Sequence, residues 1–201
     1  MKVVLINGSV HNKGCTYTAL SEVASSLNKN NIETEIVNIG TKPINGCNVC
    51  LKCKETGKCV FDDMTNEIAE KITNADGLII GSPVYYAGPS GALCALLDKI
   101  FYSKGATFAD KPAAAIVSCR RGGASATFDR LNKYFTISNM PVVPSQYWNS
   151  VHGNTPEEVL QDKEGLQIMR TLGVNMAWLL KSIQNTEKPK REDKIATNYI
   201  R

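Results

Sequence analysis

No apolar run in this 201-residue chain approaches the length of a membrane span, and its first residues enter a β-branched stretch with no signal-peptide pattern. A cytoplasmic protein with no membrane partner is therefore expected. Nor does a basic stripe suit a nucleic acid. The net charge is +4, and Lys and Arg are scattered except around Lys188-Pro-Lys-Arg191. Internal repeats and low-complexity tracts are missing. Both common nucleotide fingerprints are missing too: Gly8 and Gly14 lack the following Lys of a P-loop, and no G-x-G-x-x-G occurs. Apolar residues at 43% and charged residues at 21% leave an ordinary globular domain, large enough at this length for a substantial core.

The chain does have cysteines. Of its seven, Cys15, Cys94 and Cys119 are isolated, while Cys47, Cys50, Cys53 and Cys59 fall in one short stretch. In a reducing compartment such a cluster signals metal or redox chemistry more often than a disulfide framework. Cys94 lies on the apolar side of a helical pattern, where a small buried side chain is expected.

Strands and helices alternate. Val3–Ile6 reads as a strand that ends at Asn7, followed by a glycine-containing turn and a helix from about Thr16 with Leu20, Val23, Ala24 and Leu27 on one face. Amides at such a helix start lack intrahelical partners, and the helix dipole adds positive charge, so the loop suits an anion, most often phosphate. Ser9, Thr16 and Thr18 can add hydroxyls. Further strands are expected at 33–39, 75–81, 113–118 and from Met140 towards Tyr147, with Trp148–Gly153 as a loop after the last strand. Helices are expected after about Asp62, over 91–102 and 125–138, and from Thr155 to about Ile183 with Pro156 at the first helical position. The domain is read as 1–184 with a cysteine-rich loop at 43–61, and 185–201 as a polar tail, mobile or lying on another subunit. Five strands separated by helices predict a parallel sheet covered on both faces. Ligands of such sheets bind beyond the carboxyl ends of the strands. All the distinctive loops follow strands, which predicts a composite site on one edge.

The strings Gly8-Ser-x-His-x-x-Gly-Cys-Thr16, Gly81-Ser-Pro-Val-Tyr85, Ser90-Gly-x-Leu-x-x-Leu-Leu-Asp98 and Arg120-Arg-Gly-Gly123 resemble the NAD(P)H-dependent FMN reductase branch of the flavodoxin-like proteins, over residues 1 to about 153. Cys47-x-x-Cys-x-x-Cys-x5-Cys59, followed by Val-Phe-Asp-Asp-Met64, resembles the iron–sulfur flavoproteins of that branch. The resemblance implies a doubly wound five-stranded parallel sheet of order 2-1-3-4-5. It implies FMN, with its phosphate held by Ser9, Thr16 and neighbouring amides. His11 stands where the family usually has Arg, and Cys15 where it usually has Asn or Ser; both weaken the cradle chemically. Pro83, Val84, Tyr85 and Tyr86 would run along the flavin ring. Cys119, Arg120, Gly122 and Gly123 would pass its other side, with Arg120 and Arg121 also able to attract NADPH phosphates. The flavin carries the redox step, so no catalytic acid, base or nucleophile is expected.

For the cysteine loop, three thiols at successive x2 spacing match the ferredoxin-type runs that hold [4Fe–4S] clusters, with Gly57 turning the chain so that Cys59 completes the set. Zinc usually takes two separated pairs. A Cys47/Cys50 redox dithiol is the other possibility, though that motif usually opens a helix. The expected activity is transfer of electrons from NAD(P)H through FMN to a flavin, a quinone-like acceptor or an iron–sulfur centre, in a homodimer or homotetramer. The alternatives are a flavodoxin-type carrier that docks on protein partners without a nicotinamide, and a module whose cysteines switch an interaction.

Overall fold

The computed structural model describes residues 1–193 and 195–197. Five parallel strands, β1 (Lys2–Asn7), β2 (Glu33–Asn38), β3 (Gly77–Pro83), β4 (Ala113–Cys119) and β5 (Ser150–His152), lie in the order β2-β1-β3-β4-β5. Strand direction and register are continuous across the centre: Val3 pairs with both Thr34 and Gly77, and Ile79 with Ala114.

The strands' period of two divides the core. Val3, Leu5, Ile79, Ala114 and Ile116 face α1 (Cys15–Lys29) and the long terminal helix, whose buried side chains include Met169, Leu172 and Met176. Val4, Ile6, Leu78, Ile80, Ala113 and Ala115 face the opposite layer of α3 (Thr65–Thr73), α4 (Gly91–Lys104) and α5 (Ala124–Ile137). A strand buried on both faces reads as a continuous apolar run, which explains Leu78–Ile80 and Ala113–Val117. Packing two helical layers on one sheet makes the doubly wound architecture and leaves its carboxyl edge to the loops.

Five local expectations change. The fifth strand is not Met140–Tyr147. That segment meets β4 once, where Ala113 N donates to Pro141 O and Val143 N to Ala113 O, both at 2.8 Å. Beyond Val143 the ladder stops: the next donor towards β4 would be Ser145 N, but Asn149 Nδ2 takes the Ala115 carbonyl instead, and the chain rejoins β4 through Asn149 O and Ser150–His152. Trp148–Gly153 is therefore not a loop after the last strand: Asn149 is buried, with Nδ2 donating to Ala115 O, and His152 is itself in β5. The single terminal helix is two, α6 (Pro156–Val159) and α7 (Lys163–Gln184), because Asp162 caps a new start by accepting from Gly165 N at 2.9 Å. The cysteine loop contains a short helix, α2 (Lys52–Thr56), and Cys94 is half-buried rather than buried. Of the expected tail, the described residues beyond Gln184 are irregular, and Arg191 pairs with Asp110. The rest of that segment (194 and 198–201) lies outside the described residues.

Candidate functional site

The opening loop is built on Asn7, fully buried at the end of β1. Its amide nitrogen donates to Asn38 Oδ1 (2.8 Å) and His11 O (3.2 Å), and its Oδ1 accepts from Ser9 N (3.2 Å). Ser9 Oγ in turn accepts from His11 N at 3.1 Å. These bonds curl residues 8–14 over the start of α1. The amides of Cys15, Thr16 and Tyr17 open that helix, and no side chain caps it. His11 and Val10 are exposed on the rim. Thr16 is buried, and its hydroxyl bonds Ser118 Oγ at 2.8 Å, tying the loop to the end of β4. The Cys15 thiol is half-buried, and desolvation pushes its pKa up.

The second and third loops are joined to the first. Gly8 N donates to Gly81 O (2.8 Å), and Ser90 Oγ donates back to Gly8 O (2.7 Å). Ser82 Oγ accepts from Ser90 N at 3.1 Å and donates to Pro83 O at 2.8 Å. Val84 N reaches Ser118 O at 3.0 Å. Tyr85 and Gly88 exchange two backbone bonds around Tyr86 and Ala87, both with positive φ (50° and 57°), the geometry of a two-residue type I′ turn. Two non-glycine residues in the left-handed region store backbone strain at this point. Gly123, at φ 88°, fits beneath them: a Cβ there would stand 2.8 Å from Ala87 Cα and 3.0 Å from Val84 Cγ1. Glycine lets the two loops touch. Cys119 is buried just before this loop, and desolvation raises its thiol pKa. Arg120, Arg121, Tyr85 and Tyr86 are exposed around the junction, so the site is an open edge rather than a closed chamber. A concavity of ≈ 480 Å³, lined in part by Asp110, Met140, Ile183 and Arg191, lies at the opposite edge, where the strands begin, away from these loops.

The cysteine loop leaves β2 and passes over α4. Its four cysteines are free, and all four line one small cavity of ≈ 20 Å³ together with Phe61, Lys99 and Tyr102. Val49 (φ 55°), Leu51 (φ 62°) and Gly57 (φ 70°) turn the backbone around it. Asn66 of α3 clamps Cys59 from both sides, accepting from its N–H at 2.9 Å and donating to its carbonyl at 2.8 Å. Among the described residues no three Cys, His, Asp or Glu side chains stand close enough together to hold a single metal ion. A [4Fe–4S] cluster makes a different demand, since each thiolate binds a separate iron and the sulfurs stay farther apart. In donor identity and shared location, Cys47, Cys50, Cys53 and Cys59 fit such a group.

Thus Ser9, His11, Cys15 and Thr16 come together with Pro83–Tyr86 and with Cys119, Arg120, Gly122 and Gly123 on one edge, and the four loop cysteines gather at a second place. The residues that hold the loops together, Asn7, Asn38, Ser82, Ser90 and Ser118, were not singled out from the sequence. Ser82 and Ser90 stand inside the quoted strings, but only the fold shows that they bond each other and Gly8. Lys99, fully buried beside the cysteines, gave no signal beyond its place in an apolar helix.

A 2-1-3-4-5 sheet with its loops gathered at the carboxyl edge, beside the reversal of strand order between β1 and β3, defines a flavodoxin-like protein. Solved structures agree on the fold. The chain superposes on RosB, crystallised with 8-demethyl-8-formylriboflavin-5'-phosphate, with a TM-score of 0.74 at 16% identity, covering 100% of this chain and 92% of that one. For an archaeal flavodoxin the TM-score is 0.61 at 13% identity, covering 90% and 99%. The chain belongs to the NADPH-dependent FMN reductase family, whose model matches residues 1–155. An iron–sulfur flavoprotein of Methanocaldococcus jannaschii is 34% identical over 92% of this chain and 100% of its own length. One from Methanosarcina thermophila is 28% identical over 92% and 97%.

Proposed function

We propose that this protein is an FMN-dependent oxidoreductase of the iron–sulfur flavoprotein type, taking electrons from NAD(P)H and passing them to a flavin, quinone-like or protein acceptor. The observation that carries the reading is the joined trio of loops: Gly8 bonded to Gly81 and Ser90, Thr16 to Ser118, and Gly123 fitted under Ala87. The α1 amides with Ser9 and Thr16 would hold the FMN phosphate. Pro83, Val84, Tyr85 and Tyr86 would flank one side of the ring, and Cys119, Arg120, Gly122 and Gly123 the other. Bound FMN supplies the hydride and single-electron chemistry. The protein's part is to fix the ring against two rigid loops, with the serine network preventing them from separating. Arg120 and Arg121, exposed beside the junction, suit the phosphates of a nicotinamide donor. His11 on the rim supplies less positive charge than an Arg would, so looser phosphate binding is expected.

Cys47, Cys50, Cys53 and Cys59 would hold a [4Fe–4S] cluster, a reading supported by their shared cavity and by the names of the relatives. Such a centre would carry electrons onward one at a time. Seven free cysteines suit a reducing cytoplasm, and a homodimer or homotetramer is the proposed assembly.

Steady-state oxidation of NADH and NADPH with added FMN, menadione and ferricyanide tests the reductase reading. Turnover with at least one nicotinamide is expected; none, with FMN tightly bound, overturns it in favour of a flavodoxin-type carrier. Iron and acid-labile sulfide after anaerobic reconstitution test the cluster, and less than about one iron per chain would leave the cysteines as thiols or a single-ion site.

A further inference from the structure

One of the largest fully buried side chains among the described residues is a lysine. Lys99 sits on α4 with its side chain 0% exposed, and it lines the same cavity as Cys47, Cys50, Cys53 and Cys59. Its ammonium pairs with Asp63 and lies 5.1 Å from the centroid of the Phe61 ring, another wall of that cavity. The pair is asymmetric. Asp63 is 12% exposed and is not among the residues that line the cavity; it also accepts from Thr65 N (3.0 Å) and Thr65 Oγ1 (2.5 Å) at the start of α3. The anion is thus bonded to a helix start and partly hydrated, while the lysine is shielded from water and lines the cysteine cavity. Two other cations lie near the loop: Lys54, 5.7 Å from the Tyr102 ring centroid, is exposed and screened, and Lys104, with Nζ beside Gly57, is half-buried but does not line the cysteine cavity.

We infer that Lys99 is a positioning and tuning residue for the redox centre of the four cysteines, holding a fixed positive charge beside it, with Asp63 setting how much of that charge the centre feels. The inference rests on the cluster reading proposed above. One-electron reduction of a [4Fe–4S] group on four thiolates makes the assembly one unit more negative, the electron coming from dithionite in a titration. A buried cation stabilises that reduced form and raises the midpoint potential; a nearby anion opposes it. Removing the two partners must therefore move the potential in opposite directions. A purely structural anchor predicts otherwise, since losing either partner would loosen the loop alike.

The test is an anaerobic, EPR-monitored redox titration of reconstituted full-length wild type, Lys99→Met, Lys99→Arg, Asp63→Asn and Lys54→Met, each with its iron content. The expected result is a midpoint lowered in Lys99→Met by a tenfold or larger change in the one-electron equilibrium, about 59 mV. Asp63→Asn should be raised, and Lys99→Arg and Lys54→Met should stay near wild type. If Lys99→Met fails to fold or to retain iron, the sign in Asp63→Asn decides. A lowered or unchanged midpoint there overturns the inference, as do shifts of the same sign in both variants. Wild type without iron overturns the cluster reading and the inference with it, whereas full iron with no opposed shifts overturns the inference alone.

Discussion

Substituting Gly123 by alanine probes the junction of the second and third loops with a single methyl group. The residue has φ 88°, where an L side chain costs roughly 1–2 kcal/mol. The added Cβ would also stand 2.8 Å from Ala87 Cα and 3.0 Å from Val84 Cγ1, distances that require backbone movement and add about 1–3 kcal/mol of overpacking. Alanine recovers roughly 0.4–1 kcal/mol by restricting the unfolded chain. The net loss is about 2–3 kcal/mol, which lowers Tm by roughly 4–12 °C for a chain of this size. Relief comes most easily from the turn at Tyr86–Ala87, already strained and the most exposed part of the junction. The ring-flanking segment therefore moves, and FMN affinity should fall by at least about tenfold. Thermal unfolding by circular dichroism and FMN titration by fluorescence quenching measure the two effects. Gly122→Ala is the control for stability: its Cβ meets no protein atom within 4 Å, so Tm should stay near wild type. A Gly123→Ala protein with wild-type Tm and FMN affinity would show that the two loops do not support each other, and the reasoning would fail.

Three other outcomes can be checked. Ser90→Ala removes the donor to the Gly8 carbonyl and should destabilise by about 1–2 kcal/mol in urea unfolding, with FMN binding weakened as the first two loops part. Burial pushes the Asp63 carboxyl up, but bonds from Lys99 and Thr65 outweigh it and hold the pKa below the ordinary 3.8. A depressed folded value contributes stability that is present above about pH 3.8 and lost as pH falls through the folded value. Asp63→Asn should therefore lose about 3–5 kcal/mol at neutral pH and narrow its gap to wild type in acid; a constant gap would refute the pairing. Anaerobic titration with a thiol reagent should find Cys47 and Cys50 fast and Cys119 slow in the apoprotein, out of seven thiols in the denatured chain. Reconstitution with iron and sulfide should protect the four loop cysteines, and no protection would count against the cluster.

What the sequence made legible, and what it hid, divides along the range of the forces involved. Val3–Ile6, Leu78–Ile80 and Ala113–Val117 announce central parallel strands because burial on both faces requires unbroken apolar runs, a local property. Met140–Val143 carries the same signal, yet it makes only one contact with β4. Its side chains Met140 and Val143 are buried all the same, but Asn149 takes the next β4 carbonyl, at Ala115, and the less conspicuous Ser150–His152 takes the edge position. The turn at Tyr86–Ala87 was invisible because neither residue favours positive φ. It is held from outside by the Tyr85–Gly88 bonds and by the space that Gly123 leaves. Lys99 is the extreme case. A lysine in a helix reads as solvent-facing, and only Asp63, 36 residues away, makes its burial tolerable. The same long-range pairing sets Lys99 in the wall of the cysteine cavity; the spacing of the cysteines was plain in the sequence, and this neighbour was not. Motif spacing thus picked out residues that the fold gathers on the carboxyl edge and around the cysteine cavity. The groups that join the loops, and by the inference above set the centre's potential, lie elsewhere in the chain, where only the folded arrangement gives them that role.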